Sequence, residues 1–354
     1  MRLFGLTRLF HTGQLLLAAV ATAIMLTSCE LKELCMDHDQ HALKYHVDIE
    51  CEYTRVWEWT KPGQREWSAE WPASFGFPYD ALNPAIPAGV RAAVYNQDGS
   101  RRTINFGANG GHIDLPEGTN DILFYNNDTE YIVFTDLGTV ASATASTRSR
   151  TRPTYSGSPF LVPSRSDEKL TVSAPDMLYG SSLIGYSPIK SAVPDRIRIN
   201  MSPLVFKYYI RYEFSHGIEY VALSRGAIAG MAASVNLTDG RTGSDRATII
   251  FDSEIRQFGV EATVMSFGVP DYPNSHYNSR AQLTYGLNLE VRLKNGKIKN
   301  FDFDITDQMA RQPQGGVIIV SGLTVTDEEG KGSSSGFDVS VDGWGDYEDV
   351  PLDL

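Results

Sequence analysis

An all-β fold in two domains is what this sequence predicts, and three observations predict it. Apolar residues recur with a period of two along most of the chain, and helical periodicity is nearly absent. The alternating runs are short and are punctuated by Gly, Pro and Asn turns, the pattern of β-sandwiches and barrels. One stretch, from Gly138 to Glu168, is rich in Ser, Thr, Arg, Pro and Gly and lacks alternation, as a linker does.

The chain opens with Arg2 and Arg8 and has no acidic residue before Glu30. Leu15 to Leu26 then form a 12-residue run that is apolar apart from Thr22. A membrane-spanning helix needs about 20 apolar residues, so this run suits the apolar core of a signal peptide instead. It ends in Leu26-Thr27-Ser28-Cys29, which has the form of a lipobox: leucine, two small residues, then cysteine. The expected outcome is removal of residues 1–28 and acylation of Cys29, with 29–43 left as a lipidated tether. A single acyl chain binds a membrane only marginally, at roughly 0.8 kcal/mol per buried methylene, whereas two or three hold firmly. Glu30 and Glu33 resemble an export tag to the cell surface, so a lipid-anchored, outer-membrane location is expected.

Val47, Ile49 and Cys51 alternate in the first mature strand. Residues 90–95 and 102–106 flank Asp98-Gly99, a hairpin signal. Residues 121–134 read as a strand pair broken at Asn126-Asn127-Asp128. Phe206, Tyr208, Ile210, Tyr212 and Phe214 share one strand face, with Lys207, Arg211 and Glu213 opposite. The stretch from Ile218 to Val235 is ambiguous, because Gly226 and Gly230 weaken any helix there. Asp239-Gly240 turns a strand ending near Leu237 toward 247–251. The clearest hairpin runs from Leu283 through Asn295-Gly296 to Ile305. Its inward positions are Leu287, Leu289, Val291, Leu293, Phe301 and Phe303, while Asn288, Glu290, Asp302 and Asp304 are expected to face water. Val317 to Val320 read as a strand buried on both sides, and Phe337, Val339 and Val341 close the series. The expected domains are 44–150 and 166–354, joined by a linker at 151–165.

A net charge of −12 argues against nucleic acid as a partner, since phosphate binding needs clustered Lys and Arg. Cys35 and Cys51 are too few for a disulfide framework, and whether they pair stays open. Gly332-Ser333-Ser334-Ser335-Gly336 matches a hydrolase nucleophile pattern but lacks the strand before and helix after that the chemistry requires. Asp37, His38, Asp39, His41 and His46 read as a solvated tether segment rather than zinc ligands, with no helix to align His38 and His41. Asp302, Asp304 and Asp307 lack the glycine turn of a calcium loop. No catalytic constellation, cofactor or metal is therefore expected. Trp57, Trp59, Trp67 and Trp71 fall within 15 residues, beside Phe75, Phe77 and Tyr79. Such density serves either core packing or stacking against sugar rings.

The Leu26–Cys29 lipobox is followed by Leu34-Cys35-Met36-Asp37-His38 and by a strand ending in Trp57-Glu58-Trp59. Later come Arg225-Gly226-Ala227-Ile228-Ala229-Gly230-Met231-Ala232, Phe267-Gly268-Val269-Pro270 and Phe337-Asp338-Val339-Ser340-Val341-Asp342-Gly343-Trp344. Together these resemble the fimbrillin superfamily of Bacteroidales-type lipoproteins, in its minor-fimbrillin-like branch. The resemblance implies two transthyretin-like β-sandwiches in tandem and a non-enzymatic role in fimbriae, as shaft, tip or anchor subunit acting in adhesion. In polymerising fimbrillins a protease cuts after a basic residue of the first domain and frees a groove, which a strand of the next subunit fills. Arg55 and Arg65 are the candidate cut positions, and 336–354 is a candidate pairing strand. An anchor would keep its lipid and stay uncut. The implied partners are the outer membrane, through the lipid on Cys29, other fimbrial subunits, and a host glycan or protein. The alternative is a surface glycan-binding lipoprotein that uses the aromatics of 57–71.

Overall fold

Strands dominate the structure, and the all-β expectation holds. The computed structural model describes residues 43–59, 66–150, 170–273 and 283–331. The chain divides into two units, Met1–Lys44 and Tyr45–Leu354, and nearly all the described residues belong to the second. The strands before the predicted linker are β1 (Lys44–Tyr53), β2 (Gly89–Asn96), β3 (Arg101–Gly107), β4 (Gly110–Asp114), β5 (Asn120–Asn126), β6 (Ile132–Thr135) and β7 (Thr144–Thr147). Beyond it come β8 (Thr171–Val172), β9 (Tyr179–Tyr186), β10 (Lys190–Ser191), β11 (Asp195–Pro203), β12 (Phe206–His216), β13 (Val221–Ala232) and β14 (Ser234–Asn236). The series ends with β15 (Arg246–Asp252), β16 (Glu254–Arg256), β17 (Gly259–Ser266), β18 (Gly286–Leu293), β19 (Ile298–Asp304) and β20 (Gly316–Thr324).

The first sheet closes on itself. Its order is β1-β11-β9-β5-β2-β3-β4, with β4 pairing back to β1 and β10 attached outside the ring. β1 runs parallel to β11 on one side and antiparallel to β4 on the other. Alternation turns Val47, Ile49, Val90, Ala92, Val94, Ile113, Phe124 and Met201 inward to fill the barrel. Gly110 permits the closure. Its φ is +100°, and a Cβ there would strike the Ile49 carbonyl.

The outer faces of β2 and β5 carry Ala93, Tyr95, Leu123 and Tyr125 into a second core shared with the sheet β14-β7-β6. The expected strand pair over 121–134 therefore breaks where predicted, but its halves part company: β5 stays in the barrel and β6 pairs with β7. Asn126 explains the parting. Its side-chain amide donates to the Asp128 carboxylate at 2.7 Å and to the Met177 carbonyl at 3.0 Å, while its oxygen accepts the Tyr179 N–H at 2.7 Å. These bonds fasten the break to β9 instead of letting the chain fold back as a hairpin.

The third core lies between two sheets, β16-β17-β12-β20 and β19-β18-β13-β15-β8. Tyr208, Ile210 and Tyr212 face Ile228, Ile249, Leu287, Leu289 and Val291 across it, as the alternation predicts. The hairpin over 283–305 pairs as expected, from Gly286 with Asp304 to Arg292 with Ile298. Its supposedly wet face is corrected in part, because Asn288 and Glu290 are fully buried. The ambiguous stretch is strand β13. Gly230, at φ +86°, sits in its bulge, and Gly226 makes room for the Phe251 ring.

The sheets interleave along the chain. Residues 179–203 lie beyond the predicted linker, yet β9 and β11 complete the first barrel, while β8 pairs with β15 in the sandwich. Parallel partners remote in sequence leave no local signal, so spacing alone does not reveal this return.

Candidate functional site

The aromatic residues of 57–59 and 66–82 cover the outer face of the β12/β20 sheet. Trp57, Trp67, Phe75 and Leu82 pack with Tyr209 and Val317, joined at the margin by Trp71, Phe77 and Tyr79. Backbone bonds lay this segment along the sheet: the Lys207 N–H donates to the Trp57 carbonyl at 2.8 Å, and the Trp59 N–H to the Gln314 carbonyl at 2.7 Å. Gly315 allows the approach, since a Cβ on it would sit 2.6 Å from the Trp57 oxygen. The indole N–H of Trp67 donates to Gln312 at 2.7 Å and that of Trp71 to the Phe77 carbonyl at 2.6 Å.

The rings are not coplanar. Trp57 and Trp71 meet at 73°, and Trp71 meets Phe75 at 87° with centroids 4.8 Å apart. Edge-to-face contact of this kind is how aromatic cores pack. Trp57 and Trp67 are buried and Trp71 is half-buried, while Trp59 stays 49% exposed. The four tryptophans thus form no shared flat face for a sugar ring. The Arg211 guanidinium lies 3.6 Å from the Phe258 ring centroid and 4.9 Å from that of Phe75, which closes the same layer with a cation–π contact.

Glu58 is enclosed by this layer. It accepts a hydrogen bond from the Tyr79 hydroxyl at 2.9 Å, but burial dominates and pushes its carboxyl up to about 7. An unfolded chain holds this proton only below about 4.5, so between those values the folded state binds the extra proton. Stability is therefore expected to rise as pH falls from about 7 toward about 4.5. Urea denaturation at both ends of that window tests it, with a smaller acid gain expected in Glu58→Gln. Equal gains in the two proteins would remove Glu58 as the source.

Arg55, the first candidate cut position, is exposed but held. Its Nε donates to the Pro84 carbonyl at 2.9 Å, the neighbouring Thr54 N–H donates to Met201 at 3.0 Å, and Trp57 is buried two residues on. Arg65, residues 1–42 with Cys29 and Cys35, the linker 151–165 and the tail 332–354 lie outside the described residues. Cys51 is half-buried in β1, and burial pushes its thiol up to about 11, the condition of an inert sulfur. Asp302 accepts the Asn288 amide at 2.7 Å and Asp304 accepts the Thr306 N–H at 2.9 Å, so both serve their own hairpin. His46, grouped above with the tether, belongs instead to β1, directly opposite Asp114 of β4. Sequence spacing missed this juxtaposition because 68 positions separate the two residues.

Residues 77–252 match the family described as "Domain of unknown function (DUF5119)". Over 176 residues, 49% of this chain and 50% of the relative, the sequence is 26% identical to a Bacteroides ovatus protein named "Putative fimbrium anchoring subunit Fim4B". The match thus spans about half the length of that relative. Among solved structures, a Bacteroides ovatus protein described as "a putative adhesin" superposes with a TM-score of 0.51 at 19% identity, covering 82% of this chain and 97% of that one. A more distant likeness, with a TM-score of 0.39 at 10% identity over 78% of this chain and 90% of that one, is to "the fimbrial anchor protein Mfa2" of Porphyromonas gingivalis. The resemblance read from the sequence is borne out as a likeness: residues 77–252 match the DUF5119 family, and the chain is similar to a protein named as a fimbrium anchoring subunit.

Proposed function

We propose that this chain is a non-enzymatic, lipid-anchored subunit at the membrane-proximal end of a fimbria, held in the outer membrane through Cys29 and exposed at the cell surface. The observation that carries the reading is the likeness to a protein named as a fimbrium anchoring subunit, in a chain that itself bears a lipobox. The setting of Arg55 supports it. A protease needs several extended residues in its cleft, and here a backbone bond and a buried indole flank the arginine. An uncut anchor keeps both its lipid and its first strand, and joins neighbouring fimbrial subunits by strand addition. In this reading the barrel and the sandwich are the two transthyretin-like modules of the family plan. The raised carboxyl of Glu58 belongs to an aromatic core, which suits a structural protein better than a catalyst.

Intact-mass analysis of the protein from its native outer membrane tests the proposal, with and without protease inhibitors. The expected mass starts at acylated Cys29 in both preparations. A lipid-free chain starting after Arg55 or Arg65 would make it a polymerising subunit instead.

A further inference from the structure

The seam that closes the barrel carries a cluster of side chains with no part in its hydrophobic interior. His46 and Asp48 project from one face of β1, and His112 and Asp114 from the same face of β4. His46 is paired with Asp114 and Asp48 with His112. Alternation sends Val47, Ile49 and Ile113 inward, so these four lie on the outside of the barrel. One ligand atom each from His46, His112 and Asp114 lies within 4.8 Å of the others.

Three details separate this cluster from a chance meeting of polar groups. His112 Nδ1 is 2.9 Å from an Asp48 oxygen, and a proton donated along that contact leaves the Nε2 lone pair free on the other side of the ring. That Nε2 lies 3.3 Å from Asp114 Oδ1. Two ligand atoms bound to one tetrahedral zinc at about 2.0–2.2 Å are about 3.3–3.6 Å apart, so the pair already has the spacing of a shared cation. His46 is only 8% exposed, and its Nε2 has no hydrogen-bond partner. A buried imidazole nitrogen left without a partner is costly, and a metal ion would satisfy it.

We propose that His46, His112 and Asp114 form a zinc site that staples β1 to β4. Two imidazoles and one carboxylate suit zinc and its divalent transition-metal neighbours, whereas calcium and magnesium prefer all-oxygen shells. Asp48 is the outer partner that orients His112, the carboxylate–histidine–metal arrangement common around such ions. The ion would sit on the pair of strands that closes the ring, where the register joins only five residue pairs. The site does not depend on the fimbrial reading, since nothing in its geometry involves the lipid or a neighbouring subunit.

The test uses the full chain purified in detergent, stripped with chelator and dialysed against zinc, with bound metal measured by mass spectrometry and affinity by competition with a chromophoric chelator. One zinc per chain is expected. His112→Gln and Asp114→Asn, both at half-exposed or exposed positions that tolerate replacement, should lose it. Asp48→Asn should weaken binding by about 10- to 100-fold. His38→Ala with His41→Ala should leave it intact. Circular dichroism confirms that each variant is folded, and zinc should raise the melting temperature of the parent but not of His112→Gln. Absence of stoichiometric zinc, zinc retained in a folded His112→Gln, or zinc lost with His38 and His41 would each overturn the proposal.

Discussion

Replacing Glu290 by alanine is expected to lower stability by about 3–5 kcal/mol, because it removes the carboxylate paired with a buried guanidinium. Arg225 and Glu290 face each other across β13 and β18, and both side chains are 0% exposed. Arg225 donates from two nitrogens to the same carboxylate oxygen, at 2.9 Å and 2.6 Å. Water cannot replace the lost partner at that depth, so the variant carries the desolvation cost of the charge without its compensation. Arg225→Ala should cost a similar amount for the mirrored reason. Exchanging both together, as Arg225→Met with Glu290→Leu, should recover most of the loss, since apolar replacements of similar volume remove both charges at once. Urea denaturation at neutral pH measures all three. A Glu290→Ala loss below about 1 kcal/mol, the range of exposed pairs, would show that this pair is not dry.

Trp57→Ala is the second large effect, at about 3–5 kcal/mol for an aromatic side chain removed from a packed core. Trp57 is 1% exposed, and its ring contacts Trp71 and Tyr79 at centroid distances of 5.9 Å and 5.1 Å. Its loss opens a hole under the segment that covers the β12/β20 sheet. Trp59, two residues away and half exposed, gives the matched control: Trp59→Ala should change stability by no more than about 0.5 kcal/mol. The same denaturation series reads both. Equal effects at the two positions would contradict the core role assigned to Trp57.

Local pattern carried much of this fold. The alternation of Leu287, Leu289 and Val291 and the Asn295-Gly296 turn fixed one hairpin, and Asp98-Gly99 marked another, because hairpin partners are neighbours in sequence. What stayed hidden was long-range pairing. β1 meets β11 through Val47 with Asp195, and β12 meets β20 through Tyr208 with Gly316. Parallel partners require long crossovers, and no turn residue announces them. Burial of Glu290 was equally illegible, since a charged residue at a strand's polar position looks solvated until its cross-strand arginine is placed. The aromatic segment showed its density but not its purpose. Whether Trp57 packs or binds depends on the exposed backs of β12 and β20, which the sequence of 57–82 does not describe.

The parallel pairing of β1 with β11 also decides how the molecule bears tension. A pull applied at the start of β1 and at the end of β11, three positions before β12 begins, loads the two strands at opposite ends. Parallel strands loaded at opposite ends slide along each other, so the seven matched positions from Val47–Asp195 to Tyr53–Met201 resist together rather than opening one after another like a zip. A chain pulled at those two points would thus meet this pairing in shear rather than in peeling.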